Sequence, residues 1–413
     1  MLKFNYYFPI ERSFGHECMM KGALSTVKDE MDSDRVGYYK LPQHSLSHLE
    51  SLKNIDTERF NQLVIIGIGG SSLGIKAIDS ILRPYTPDVK EILFLENSDP
   101  IIISESLANI KKESACFFII SKSGSTIETT SIFKLIIDKC KLDLDGADRD
   151  RIFTITDKDS VLSKFAKHHK LQEFNIPDNV GGRFSVLSAV GVVPLQIAGY
   201  DMHNLLKGAG DFITRFFQGG ENHLLEKAYH IYRNSKNETI NVLFSYADHL
   251  DGLTKWYVQL WGESLGKIDI NGRRVGLTPI GLIGSIDQHS FLQLIVEGPR
   301  DKSVTFISIK DVENDLKIPD ISLHGIEKTD FINNQTFNTL INSQCDATLE
   351  SLIQSGVTVD SISIDKVRPE NIGAIIVYYE LLTSLTGAML MINAYDQPGV
   401  ELGKEILNKK LDN

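Results

Sequence analysis

The densest chemistry in the chain lies in residues 121–129. There Ser121, Ser123, Ser125 and Thr126 set four hydroxyls around Gly124, with Lys122 among them and Thr129 one turn further on. An apolar β-rich run precedes this cluster and a helical pattern follows it. A strand-to-helix turn of this composition suits an anion, because free backbone N–H groups and the positive end of the helix dipole point at whatever sits there. Neutral hydroxyls with few cations fit one phosphate monoester better than a polyphosphate with its metal. The plainer reading is a well-capped helix, since Ser and Thr are the usual N-cap residues.

A second kind of chemistry needs a base. Gln259 and Glu263 stand four apart, on one helical face. Glu263 is near the helix end, beside Gly262 and among apolar residues, where desolvation would suit it to proton abstraction. A solvated surface carboxylate is the alternative. Arg183 follows Gly181 and Gly182 at the head of an apolar run. A guanidinium so placed can stabilise an oxyanion or pair a carboxylate, or simply serve as a helix-start ion pair.

Residues 67–74, GIGGSSLG, follow a strand and open a helix, so Gly70 and its neighbours can bring backbone close to a ligand while Ser71 and Ser72 offer hydroxyls. The dinucleotide fingerprint fits poorly, because its third glycine would fall at Ser72. His289, in DQHSF, reads as a structural cap or an acid–base group. Gln397 and Lys404 lie on a turn and the helix after it, where a solvated lysine is the bland alternative. His168 and His169 sit in a charged helix. The sequence offers no His/Cys/Asp cluster of metal-binding spacing, so no metal is expected.

The elements that must position these residues alternate between β and α. Strands are predicted at 63–66, 91–95, 116–120 and 151–155, with helices at 72–82, 100–110 and from 127 onward. This is the pattern of a doubly wound parallel sheet, with ligands expected at the carboxyl ends of its strands. A second pass has helices at 203–217, 222–235 and 249–263 and strands at 239–244, 303–309 and 357–364. Two helices, 369–393 and 400–409, end the chain. The expected division is a mostly helical lead-in without a strong strand over 1–55, α/β units at 56–200 and 201–368, and C-terminal helices over 369–413.

At 413 residues, 42% hydrophobic and 23% charged, the chain is long enough for two or three domains. A net charge of −11 with no long basic run argues against nucleic acid and anionic membrane surfaces as partners. No run of about 18 apolar residues suggests a membrane span, and the N-terminus lacks an apolar signal-peptide core. Four cysteines, far apart and without CxxC spacing, suggest free thiols in a reducing cytoplasm.

Six segments together carry a more specific signal: GIGGSSLG, SKSGSTIET, GGRFSVLSAVGVVPL, QLWGESLGK, DQHSF and DQPGVELGK. In this order they resemble the motifs of the phosphoglucose isomerase family, from about residue 61 to 407, with ESLGK and DQPGVELGK the most specific. The resemblance implies two sugar-isomerase-type αβα sandwich domains with parallel-rich sheets and a C-terminal helical extension. It implies isomerisation of glucose 6-phosphate and fructose 6-phosphate through an enediolate, without cofactor. Ser121, Lys122, Ser123, Thr126 and Thr129 would hold the sugar phosphate, and Gly70 and Ser71 would line the sugar. Glu263 would move the proton and Arg183 would stabilise the enediolate. His289, given by a neighbouring subunit of a homodimer, would open the ring with Lys404, while Gln259 and Gln397 would position hydroxyls. A non-catalytic sugar-phosphate-binding regulator would keep the hydroxyl loop but have no need of Glu263, His289 and Lys404 together.

Overall fold

A computed structural model of the chain describes residues 2–10 and 13–411. In chain order its strands are β1 (Leu2–Tyr6), β2 (Gln62–Ile66), β3 (Glu91–Leu95), β4 (Ala115–Ile120), β5 (Ile152–Asp157), β6 (Gln172–Ile176), β7 (Ile240–Tyr246), β8 (Lys267–Ile268), β9 (Arg274–Val275), β10 (Thr278–Ile283), β11 (Lys302–Asp311) and β12 (Thr358–Lys366). Every residue of β2 and β4 is buried, as expected for parallel strands covered on both faces, which read as unbroken apolar runs.

The first sheet has the order β3-β2-β4-β5-β6, all parallel. The chain leaves β2 for β3 on one side and returns to β4 on the other, so the winding reverses between β2 and β4. Helices diverge at such a point and leave a crevice beyond the carboxyl ends of the two strands. The 67–72 loop after β2 and the 121–126 loop after β4 both open there. Contact between them is close: a Cβ built on Gly67 would lie 2.9 Å from the Ile120 carbonyl oxygen.

The second sheet, β1-β12-β11-β7-β10, repeats the reversal between β7 and β11. Its β1 is antiparallel to β12 and comes from the lead-in, where the sequence suggested no strand. Five residues whose pairing partner lies more than 350 positions away give no local signal. The periodicity also passed over β6, a polar edge strand, and β10, which contains Pro279 and Gly281 and is confined to an edge for that reason.

Helix Pro369–Met389 runs through the centre, packed by the helices Phe14–Asp32, Met202–Phe217, His223–Asn234 and Asp251–Leu265. By length and mean composition alone it could cross a membrane, although Glu380, Thr383 and Ser384 interrupt its apolar run. Within this fold it is a core helix, 94% buried over its most apolar stretch.

Candidate active site

The ladder of β4 continues into the loop, with Ser121 N–H donating to the Ile155 carbonyl at 3.1 Å. Gly124 then takes φ +72°, and a Cβ there would lie 2.6 Å from the Leu162 amide nitrogen, so no other residue fits this turn. Helix Ile127–Cys140 follows. Thr126 stands at its N-cap, yet no side chain caps the helix. The hydroxyls pair with one another instead: Ser121 Oγ lies 2.8 Å from Thr126 Oγ1, and Ser125 Oγ donates to Ser123 Oγ at 3.1 Å. Thr129 is buried and its Oγ1 has no protein partner. An uncapped helix start ringed by hydroxyls can take an anion.

Lys122 departs from the sequence expectation of a phosphate ligand. Its ammonium donates to the carbonyls of Asp178 and Val180 at 2.9 and 2.7 Å. It therefore ties the hydroxyl loop to the turn that leads into Arg183. Asp157 lies 4.0 Å from the same ammonium. Burial pushes the Asp157 carboxyl up to about 6, with Lys122 opposing and Asp178 adding to the rise. Between about pH 4 and 6 the native state keeps a proton that the unfolded chain has lost, so this group removes stability as pH rises through that window. Asp157→Asn is expected to raise the thermal midpoint more at about pH 7.5 than at about pH 4.5; an equal effect at both would contradict this.

The second wall is built by glycine contact. A Cβ on Gly70 would stand 2.3 Å from the Gly182 carbonyl and 2.9 Å from the Arg183 nitrogen. Gly69 has φ +62°, and Gln259 Nε2 lies 2.9 Å from the position its Cβ would take. The loop with Gly70 and half-buried Ser71, the turn Gly182–Phe184 and Gln259 thus form one surface.

Arg183 is 2% exposed and fully engaged. Its Nε donates to Ser264 Oγ at 2.6 Å, and Nη2 donates to the carbonyls of Ala394 (2.6 Å) and Asp396 (3.0 Å). Nη1 donates to Gln397 Oε1 at 2.7 Å and faces Glu263 Oε2 at 3.5 Å. Burial draws the guanidinium below its usual range, and Glu263 and Asp396 oppose that. Glu263 also accepts from Gln259 Nε2 at 3.2 Å through its other oxygen.

Glu263 takes the more open of the two sequence readings. Its side chain is 37% exposed, because it sits in the last turn of Asp251–Leu265 and faces a cavity of about 540 Å³, also lined by Lys267, Arg274 and Gln397. The volume lies in the range of small-molecule sites. Two fixed donors and an open side describe a base with room for substrate.

His289 and Lys404 stand on other elements. A Cβ on Gly262 would meet Pro279 and one on Gly281 would meet Thr254, so Glu263 sits at the start of β10. His289 lies in the exposed turn Ile286–His289 beyond its far end, about 16 Å along the strand. That turn is tied by Gln288 to Thr348, on the helix Phe337–Gln354. Lys404 is on helix Glu401–Leu411, which has no buried residue, and pairs with Glu401 at 2.8 Å.

Three contributors escaped the sequence reading. Ser264 and Lys267 stand inside the quoted QLWGESLGK segment, where a hydroxyl beside the base was a usable signal. Asp396 acts through its backbone carbonyl, which no side-chain motif announces. Among the described residues no three His, Cys, Asp or Glu side chains converge on a metal position.

A family model described as phosphoglucose isomerase matches residues 50–413. The chain is 46% identical over 388 residues to a glucose-6-phosphate isomerase of Campylobacter jejuni, covering 94% of each. It is 35% identical to a glucose-6-phosphate isomerase of Rubrobacter xylanophilus, covering 94% of this chain and 90% of the relative. The crystal structure of a hypothetical protein from Thermus thermophilus superposes with TM-score 0.91 at 30% identity over the whole of both chains.

Proposed function

The chain belongs to the phosphoglucose isomerase family, and on that premise we propose how its residues divide the work of an aldose–ketose isomerase. The enzyme interconverts glucose 6-phosphate and fructose 6-phosphate, a step of glycolysis. The observation that carries the assignment of roles is the Glu263–Arg183 pair. A carboxylate that lines a cavity stands 3.5 Å from a buried, fixed guanidinium, with a hydroxyl-lined helix start on the loop after β4.

Ser121, Ser123, Thr126 and Thr129 grip the phosphate at the open end of helix Ile127–Cys140. Gly70 and Ser71 line the sugar, and Gln259 and Gln397 set the positions of Glu263 and Arg183 as well as of hydroxyls. Glu263 takes the proton from C2 and returns it to C1. As it leaves, negative charge moves to the substrate oxygens, and the fixed positive charge of Arg183, whose Nη1 can turn from Glu263 Oε2 toward them, stabilises it. The grip is remote from the reacting carbons, so its binding energy holds the sugar in register. In this reading the cradle and Arg183 come from 56–200, the base from 201–368 and Gln397 from 369–413.

Removing one phosphate ligand should chiefly weaken binding. Thr126→Val keeps the shape and loses a hydrogen bond to a charged group, so KM is expected to rise about 10- to 100-fold with kcat nearly unchanged. A steady-state assay checks this; an unchanged KM would remove Thr126 from the cradle.

His289 cannot serve Glu263 of its own chain if it lies past the far end of β10. The reading that fits is a homodimer in the cytoplasm, each copy donating His289 to the other's site and Lys404 closing over it to assist ring opening. The test is complementation. Glu263→Gln and His289→Ala chains, each inactive in ring-form turnover, are unfolded and refolded together. In a twofold dimer half the dimers are mixed, and each mixed dimer has one intact site, so about a quarter of the sites recover. No recovery in verified mixed dimers would show that the two residues act within one chain.

A further inference from the structure

The surface turn 393–397 supplies three acceptors to Arg183: the carbonyls of Ala394 and Asp396 and the side chain of Gln397. Between the two carbonyls stands Tyr395. Its ring centre lies 5.4 Å from that of Phe184, the neighbour of Arg183 in the chain. Its hydroxyl donates to Glu30 Oε2 at 2.5 Å and lies 3.0 Å from Ser384 Oγ. Tyr39 donates to the same Glu30 oxygen at 2.8 Å, and the Tyr38 hydroxyl is 2.9 Å from Ser384 Oγ. Glu30, Tyr38, Tyr39 and Ser384 are all buried.

The geometry is lopsided. Asn393, Asp396 and Gln397 are exposed, and Lys267, its side chain only 7% exposed, holds the outer end of the turn through both the carbonyl and the carboxylate of Asp396. On the inner side the anchor is a carboxyl–phenol cluster drawn from helix Phe14–Asp32, the turn Tyr38–Lys40 and helix Pro369–Met389. Burial pushes the Glu30 carboxyl above its usual range, and the two phenol hydrogen bonds pull it back. Buried polar groups of this kind are costly when half satisfied and rigid when complete. Glu30 also lies ahead of the residues 50–413 that the family model matches, in a lead-in to which the reaction itself assigns no part.

We infer that Glu30 and Tyr395 are positioning residues for catalysis: through the Ala394 and Asp396 carbonyls they set the direction of the Arg183 guanidinium toward Glu263. Neither touches substrate. The inference rests on the reading of Arg183 as the group that meets the enediolate. Its effect should fall on kcat, because a misdirected guanidinium loses contact with the transition state while the phosphate grip is intact.

The experiment measures kcat, KM and thermal midpoint for Tyr395→Phe, Glu30→Ala and Glu30→Gln in the full chain, and Tyr395→Phe again in an Arg183→Lys background. Tyr395→Phe and Glu30→Ala are expected to lower kcat about tenfold or more, within the ~10²-fold that a 1 Å misplacement can cost, with KM within about twofold. Glu30→Gln keeps an oxygen acceptor and should retain most of the rate. In the Arg183→Lys background, Tyr395→Phe should change kcat by less than about twofold, since both changes act on one group. Wild-type kcat in folded Tyr395→Phe would overturn the inference, as would a full multiplicative loss in the double variant. A wild-type kcat in Arg183→Lys alone would instead overturn the reading of Arg183, which keeps the two failures apart.

Discussion

Glu263→Gln is expected to cut turnover by ~10²–10⁴-fold while sugar-phosphate binding persists. The substitution preserves the length and shape of the side chain, and its carbonyl oxygen can still accept from Gln259, which now donates to Glu263 Oε1 at 3.2 Å. What it removes is the basic carboxylate that can take up a carbon-bound proton. Arg183 loses one of five acceptors and keeps those from Ser264, Ala394, Asp396 and Gln397, so the guanidinium should stay in place. The phosphate cradle lies on another loop and is untouched. Steady-state assays with fructose 6-phosphate, beside calorimetric titration of the same ligand, separate the two effects. Turnover within about tenfold of the parent enzyme would remove Glu263 from the role of base.

Arg183→Lys comes second in size and differs in kind, because it should affect both rate and stability. Loss of one oxyanion donor typically costs ~10²–10³ in kcat. A lysine keeps the charge but not the planar fork, and its three donors cannot meet the five acceptors around this site. Acceptors left unpaired in a position only 2% exposed should lower stability by about 2 kcal/mol or more. Denaturant unfolding measures that loss, and kcat measures the other. A variant with unchanged stability would mean that the seat formed by Ala394, Asp396 and Gln397 relaxes freely, and unchanged kcat would mean the guanidinium does not meet developing charge.

How much of this was legible in the sequence follows from which interactions are local. β2, β4 and β7 were readable because buried parallel strands are continuous apolar runs, and the 121–126 loop because hydroxyls cluster next to one of them. The reversal of winding between β2 and β4, which puts the 67–72 and 121–126 loops in one crevice, depends on strand order and leaves no local trace. Arg183 could be singled out by type, but its partners come from 80 to more than 210 residues away, two of them backbone carbonyls. For Glu263 the apolar neighbours suggested desolvation, with a solvated carboxylate as the alternative. Those neighbours point into the core from the other side of the helix and leave the carboxylate facing a cavity. Lys122 shows the same limit: its place in a hydroxyl loop suggested a phosphate contact, while its ammonium reaches the 178–180 turn. His289 and Lys404 were picked out by motif; His289 lies beyond the far end of β10 from Glu263, while Lys404 stands on the exposed helix that follows the cavity-lining residues Pro398–Val400.

The central claim is that one carboxylate carries a hydrogen between two adjacent carbons, with the charge held by Arg183. Glucose 6-phosphate deuterated at C2, turned over in ordinary water, tests it most directly. A deuteron parked on a partly exposed carboxylate can exchange before it is returned, so the fructose 6-phosphate formed should carry part of the deuterium at C1 and have lost the rest to solvent, with both products forming ~10²-fold or more slowly in Glu263→Gln. Complete retention of deuterium at C1, with the same product formed at a comparable rate in Glu263→Gln, would mean direct hydride movement between the carbons and would contradict the account.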